Sequence, residues 1–194
     1  MTKPFVLVIE DDLDWQKSFA EIIGDAGFKP IMASNYQAAL AALSNRTYAL
    51  AVVDVSLSFQ DHADRGGVEV LKAIENLPIQ LPTIVVTGYA TIDLAIETLA
   101  ELNAVHFFRK EMFDRREFIC VIKREAAING VLQNLSKRER QVLSLMSEGQ
   151  TNKQIAGELV VSVNTIKKHA QNIFTKLNVG SRAAAVAKAY GQDR

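Results

Sequence analysis

Short unbroken apolar runs alternate with stretches whose apolar positions recur every three or four residues. The run Phe5-Val6-Leu7-Val8-Ile9 predicts a strand buried on both faces. Similar segments follow at Phe28–Ala33, Tyr48–Val53, Thr83–Val86 and Val105–Phe108. Between them, Trp15, Phe19, Ile22 and Ile23 keep helical spacing, with Gly27 suited to the stop. Tyr36, Ala39, Leu40 and Leu43 form a second stripe behind a Ser34 cap, and Val70, Leu71 and Ile74 a third. Ile92, Ala95, Ile96 and Leu99 mark another helix, and a last one starts near Asp114. Five strand–helix units predict an α/β doubly wound fold, a five-stranded parallel sheet with helices on both faces.

The pattern then changes. Residues 126–135 are apolar enough to pack, as a linker or a helical extension. Ser136-Lys137-Arg138-Glu139 and Thr151-Asn152-Lys153-Gln154 are capping boxes, serine or threonine followed three residues later by Glu or Gln. Ser162 and Ser181 suit the caps of two more helices, the first carrying Ile166, Ala170, Ile173 and Leu177 on one side. An all-α, four-helix second part is predicted. Two of its helices, joined at Val160-Val161, suit a helix-turn-helix.

Composition narrows the class. The chain has 194 residues, 48% of them hydrophobic, enough for one large or two modest domains. No apolar run approaches the roughly 18–20 residues of a membrane span, and the start lacks a signal peptide's features. A soluble, cytoplasmic protein without membrane association is expected. Cys120 is the single cysteine, which leaves no internal disulfide; its apolar neighbours suggest a small core residue. The zero net charge hides an asymmetry. Residues 1–135 hold 12 Lys/Arg against 18 Asp/Glu, and residues 136–194 hold 10 against 4. Two differently charged surfaces have no functional meaning by themselves, but a basic part suits nucleic acid.

The chemistry gathers at strand ends. Glu10, Asp11 and Asp12 follow the first strand, Asp54 the third, Thr87 the fourth and Lys110 the fifth. Singly, these have ordinary readings as caps, turn residues and solvated charges. Together they fall on the carboxyl edge of the predicted sheet, where such folds build sites. A carboxylate can attack phosphorus and form an acyl phosphate. Neighbouring carboxylates would repel the incoming anion unless a hard cation lay between, and Mg²⁺ prefers oxygen ligands. Asp11, Asp54 and a backbone carbonyl near Ser56 suit such an ion, with Glu10 acting through water. Lys110 and the Thr87 hydroxyl suit the phosphoryl oxygens. His62 and Asp64 lack a metal-ligand pattern, so a solvated loop is the better reading there. His106 reads as an ordinary strand histidine.

Val8-Ile9-Glu10-Asp11-Asp12, Val53-Asp54-Val55-Ser56-Leu57, Val85-Val86-Thr87-Gly88 and Phe107-Phe108-Arg109-Lys110 resemble the receiver domains of two-component response regulators, which have a flavodoxin-like fold. The resemblance implies that Asp54 takes phosphate from a histidine kinase. It also implies that Thr87 and Phe107 move together on activation, and that the domain speeds its own phosphorylation without being an enzyme of metabolism. Three features depart from the family's pattern. Ser58 stands where proline is usual, the connection from Asp54 to Gly66-Gly67 is longer, and Glu111 replaces a proline after the lysine. The first two motivate a rival expectation, a DNA-binding regulator that switches without phosphate. A metal-dependent phosphatase is remote, because Ser56 stands where those enzymes carry a second aspartate.

In the second part, Gly149-Gln150-Thr151-Asn152-Lys153-Gln154-Ile155-Ala156 and Val161-Ser162-Val163-Asn164-Thr165-Ile166-Lys167-Lys168-His169 resemble the DNA-binding domain of NarL/LuxR-type (FixJ-like) regulators. By pattern alone, a four-helix packing module with a basic face is an equal reading; the resemblance favours DNA. It implies a recognition helix from Ser162 to Leu177, with Asn164, Thr165, Lys167, Lys168 and Gln171 meeting double-stranded DNA, and a homodimer on two half-sites. His169 suits phosphate contact and packing equally. The expected boundaries are 1–125 for the receiver, 126–135 for the connection and 136–194 for the helix-turn-helix domain.

Overall fold

The computed structural model describes residues 3–57, 66–77, 81–88, 94, 97–102 and 104–191. The chain divides into two compact units after Ala126.

The first unit is an α/β domain. Its elements are β1 (Phe5–Ile9), α1 (Leu13–Asp25), β2 (Lys29–Ala33), α2 (Tyr36–Asn45), β3 (Leu50–Val53), α3 (Gly66–Glu75), β4 (Thr83–Thr87), β5 (His106–Arg109) and α4 (Arg115–Leu132). A π-helical turn covers Glu97–Glu101 and a 3₁₀ turn Lys110–Met112. All strand pairs are parallel, in the order β2-β1-β3-β4-β5, so the five-stranded doubly wound sheet read from the pattern is observed.

Strand alternation sorts the core into two layers. Leu7, Ile9, Val53 and Val85 face Ala39 of α2 and Val70, Leu71 and Ile74 of α3. Val6, Val8, Val52 and Val86 face Phe19 and Ile23 of α1 and Phe118 and Ile122 of α4. Every strand end therefore opens on an edge between two helical layers.

Asn35, not Ser34, caps α2, its side chain accepting from the Ala38 amide at 2.9 Å. A cap oxygen reaches the amide three residues on, so its position is set by where the helix starts. Cys120 is exposed rather than a core residue. Phe118, Val121 and Ile122 face the sheet, and at about 100° per residue Cys120 falls on the opposite side of α4. Tyr48 is buried but precedes β3, its hydroxyl donating to the Ala42 carbonyl at 3.2 Å. Ile92, Ala95 and Ile96, like Ser58, His62 and Asp64, lie outside the described residues.

The second unit is all-helical after the end of α4: α5 (Lys137–Ser147), α6 (Asn152–Glu158), α7 (Val163–Leu177) and α8 (Arg182–Tyr190). Val142, Leu143, Ile155, Ile166, Ile173, Leu177 and Ala185 form its core. Both capping boxes are present. Buried Glu139 accepts from the Ser136 amide and from Lys176 of α7, each at 2.7 Å. Burial pushes this carboxyl up, but Lys176 and Ser136 outweigh it and hold it below the usual range. Arg182 donates to the carbonyls of Met146 and Gln150, at 2.8 and 2.6 Å, closing the end of α5. Among the described residues no helix is long and apolar enough to cross a membrane.

Candidate functional site

In the first unit, the register that aligns Ile9 of β1 with Val53 of β3 sets Glu10 beside Asp54 at the carboxyl edge. The Asp54 amide donates to the Ile9 carbonyl at 2.9 Å and the Glu10 amide to that of Ala33 at 3.0 Å, so both acids stand on paired backbone. Asp12 is committed elsewhere. It caps α1, accepting from the Asp14 and Trp15 amides at 2.8 and 2.9 Å. The Trp15 amide leads the causes that lower its carboxyl. Glu10, Asp11 and Asp54 each bring a carboxylate oxygen within 4.8 Å of the others.

Lys110 closes the cleft. Its Nζ, on a side chain only 13% exposed, donates to Asp54 Oδ2 at 2.7 Å. It meets Glu10 Oε2 equally closely, yet that buried oxygen accepts no well-aligned hydrogen bond. The same ammonium lies 5.0 Å from the centre of the Trp15 ring. Thr87 is fully buried, its hydroxyl bonded to Asp54, and the Ser56 amide donates to Asp54 Oδ1 at 3.0 Å. Phe107 is half-buried against the core layer that holds Val53 and Val85.

These positions perturb one another. Burial, aided by Asp54, raises the Glu10 carboxyl to about 7 despite Lys110. Burial also raises Asp54, against Lys110, Ser56 and Thr87. For Lys110, burial acts downward, but Asp54 and Glu10 prevail and the ammonium is held up. A protonated lysine thus bridges two acids that burial holds above their ordinary range even beside it. The donors are carboxylate oxygens of Glu10, Asp11 and Asp54 gathered within 4.8 Å of one another, which fits a hard divalent cation.

Sequence reasoning brought Glu10, Asp11, Asp54, Thr87 and Lys110 to one edge, and they meet there. It missed two neighbours. Trp15 was read only as part of the apolar stripe of α1. Gly67 was seen only as half of a glycine pair. Its amide donates to the Val55 carbonyl at 3.2 Å, and a Cβ there would come within 1.9 Å of the Asp54 carbonyl oxygen.

In the second unit, Ile166, Ala170, Ile173 and Leu177 bury one side of α7. Asn164, Lys167, Lys168 and Gln171 are exposed, and at about 100° per residue they form a stripe opposite the buried one. Thr165 lies at its margin, half-buried, with its hydroxyl 2.8 Å from that of the capping Ser162. Thr175, not singled out from the pattern, falls on the exposed stripe, and His169 is half-buried. The turn before α7 holds Val160 at φ 51° and 88% exposed.

An acidic cleft with a bridging lysine on a doubly wound sheet, joined to a helix-turn-helix unit, defines a two-part regulator. Residues 6–123 match the family described as response regulator receiver domain. Residues 133–189 match that described as bacterial regulatory proteins, luxR family. The chain belongs to the response regulators that join a receiver domain to a LuxR-type DNA-binding domain. It is 31% identical over 194 residues to the transcriptional regulatory protein FixJ of Rhizobium meliloti (strain 1021), covering 93% of this chain and 92% of that one. It is 26% identical to the response regulator protein TodT of Pseudomonas putida (strain F1), covering 91% and 81%. Among solved structures, full-length FixJ from B. japonicum aligns over 100% of both chains at 30% identity with a TM-score of 0.52. The response regulator StyR aligns over 96% and 98% at 26% identity with a TM-score of 0.53.

Proposed function

We propose that this regulator is switched by phosphorylation of Asp54. The observation that carries the reading is the buried Asp54 carboxylate, held between a second acid and a lysine and bonded to a buried threonine hydroxyl. The donor is the phosphohistidine of a histidine kinase. One Asp54 oxygen attacks the phosphorus, a P–O bond forms as the P–N bond breaks, and the imidazole leaves with the electron pair and takes up a proton. Lys110 then neutralises one phosphoryl oxygen and the Thr87 hydroxyl bonds another. Phe107 follows Thr87, from which it lies two positions along the β4–β5 pair, Val85 being in register with Phe107 and Thr87 with Arg109.

Mg²⁺ suits the acidic cleft. Asp11, Asp54 and the backbone carbonyl of Ser56 would hold it, with Glu10 acting through water, and when bound it supplies charge neutralisation for the incoming anion. The chain is then a signalling protein of the cytoplasm rather than an enzyme of metabolism. Its output is double-stranded DNA, bound as a homodimer through Asn164, Thr165, Lys167, Lys168 and Gln171 of α7. The phosphoryl group shifts a pre-existing equilibrium towards the binding-competent form.

The test is acyl phosphate formation. With Mg²⁺ and acetyl phosphate, the intact mass of the wild type should gain one phosphoryl group, and that of Asp54→Ala should not. Equal labelling of both would refute the assigned acceptor.

A further inference from the structure

Among the described residues Asp54, Glu10 and Trp15 hold or face Lys110 in this cleft, and the proposed reaction makes new demands on the first two. Asp54 and Glu10 hold its ammonium, each at 2.7 Å. As an Asp54 oxygen bonds to phosphorus the carboxylate gives up its charge, and Glu10 would serve a bound cation through water, so both holds on the lysine weaken during the transfer itself, before a phosphoryl oxygen replaces them. The third partner is the face of Trp15, 5.0 Å from Nζ to the ring centre. An indole carries no net charge, so it holds a cation through its π face without repelling the incoming anion.

The ring is itself held. The Trp15 amide is fixed by the Asp12 cap at 2.9 Å. The indole lies 5.4 Å from Phe19 of α1 and 5.4 Å, edge-on, from Phe113, which follows the turn that carries Lys110. Phe113 continues to Phe118 of α4 at 4.9 Å. Trp15 therefore ties the lysine's own chain segment to α1 while its face meets the ammonium.

We infer that Trp15 is a positioning residue for phosphoryl transfer: its indole face keeps the Lys110 ammonium over Asp54 when the two carboxylates turn to other partners. This rests on the reading of Asp54 as acceptor. A purely structural tryptophan would fill the gap between α1 and α4 and leave the lysine indifferent to ring chemistry.

The experiment compares full-length wild type, Trp15→Phe, Trp15→Leu and Trp15→Met, with acetyl phosphate and Mg²⁺ as probes. Phe keeps a π face, whereas Leu and Met offer apolar volume without one. Melting followed by circular dichroism identifies the folded variants, and Met stands in if Leu fails to fold. The maximal phosphorylation rate should fall roughly 3- to 10-fold in Leu or Met and recover in Phe, with half-saturating Mg²⁺ unchanged. In proton NMR, the Lys110 ε-methylene signals should show an upfield ring-current shift that is lost in Leu or Met. Equal rates in wild type and Leu or Met, an equal fall in Phe, or unshifted lysine signals would overturn the positioning role alone. A wild type that takes no phosphoryl group would overturn the acceptor reading, and the positioning role with it.

Discussion

Gly67 offers the sharpest perturbation of the cleft, because it touches no charged group there. An added Cβ would lie 1.9 Å from the Asp54 carbonyl oxygen, 2.5 Å from Val55 Cα and 2.7 Å from the Asp54 carbonyl carbon. All three are backbone atoms, so no side-chain rotation relieves the clash. Reaching the 3.0 Å that real Cβ contacts respect means that the start of α3 and the segment carrying Asp54 part by about 1 Å. Overpacking of this kind costs about 1–3 kcal/mol, and a reacting group misplaced by about 1 Å costs on the order of 10²-fold in rate. Gly67→Ala should therefore lower the first unit's stability in urea by that amount. Its labelling by acetyl phosphate should slow far more than stability explains at a temperature where the variant remains folded. The reasoning is refuted if Gly67→Ala melts and labels like wild type, or if labelling slows only in proportion to the unfolded fraction.

Three further outcomes are expected. Without metal, Glu10 binds its proton more tightly folded, up to about 7, than at its ordinary value of 4.5. Stability should thus fall as pH rises through that window, by about 3 kcal/mol; urea melts at several pH values should show Glu10→Gln flattening this slope, and an unchanged slope would exclude Glu10 as its source. Val160 sits at φ 51° and is exposed, a conformation that costs a β-branched residue about 1–2 kcal/mol. Val160→Gly should stabilise the second unit by up to about 1 kcal/mol once the entropy of glycine is counted, and a drop in its melting temperature would contradict this backbone. Lys167→Ala or Lys168→Ala should cost about 1–3 kcal/mol on a selected duplex if it meets a base, or flatten the salt slope by roughly one if it meets phosphate; no loss at either position would count against α7 as the recognition helix.

The sheet was legible because buried parallel strands leave continuous apolar runs, and their ends announced Glu10, Asp54, Thr87 and Lys110. What brings these four together is register and crossover, which local patterns constrain only through the fold class. The Lys110 bridge, with its Nζ on Asp54 and Glu10, joins residues far apart in sequence and had no local signal. Trp15 was hidden by its own stripe, since an aromatic at helical spacing is ordinarily core. Cys120 was misplaced because its apolar neighbours were read as a block, whereas the phase of α4 turns it outward. The capping boxes at Ser136 and Thr151 were legible in full, because each is a local hydrogen-bond exchange over three residues. The ion pair of exposed Lys176 with buried Glu139 depends on α7 packing against α5 and was not.

The central claim is that phosphate on Asp54 governs DNA binding by α7. It is tested most directly by titrating a duplex selected from a random pool with the full-length protein, with and without acetyl phosphate and Mg²⁺, alongside Asp54→Ala. Affinity should rise about tenfold or more in the phosphorylated wild type and stay constant in Asp54→Ala. Equal affinity in wild type with and without phosphate, or the same rise in Asp54→Ala, would contradict the account.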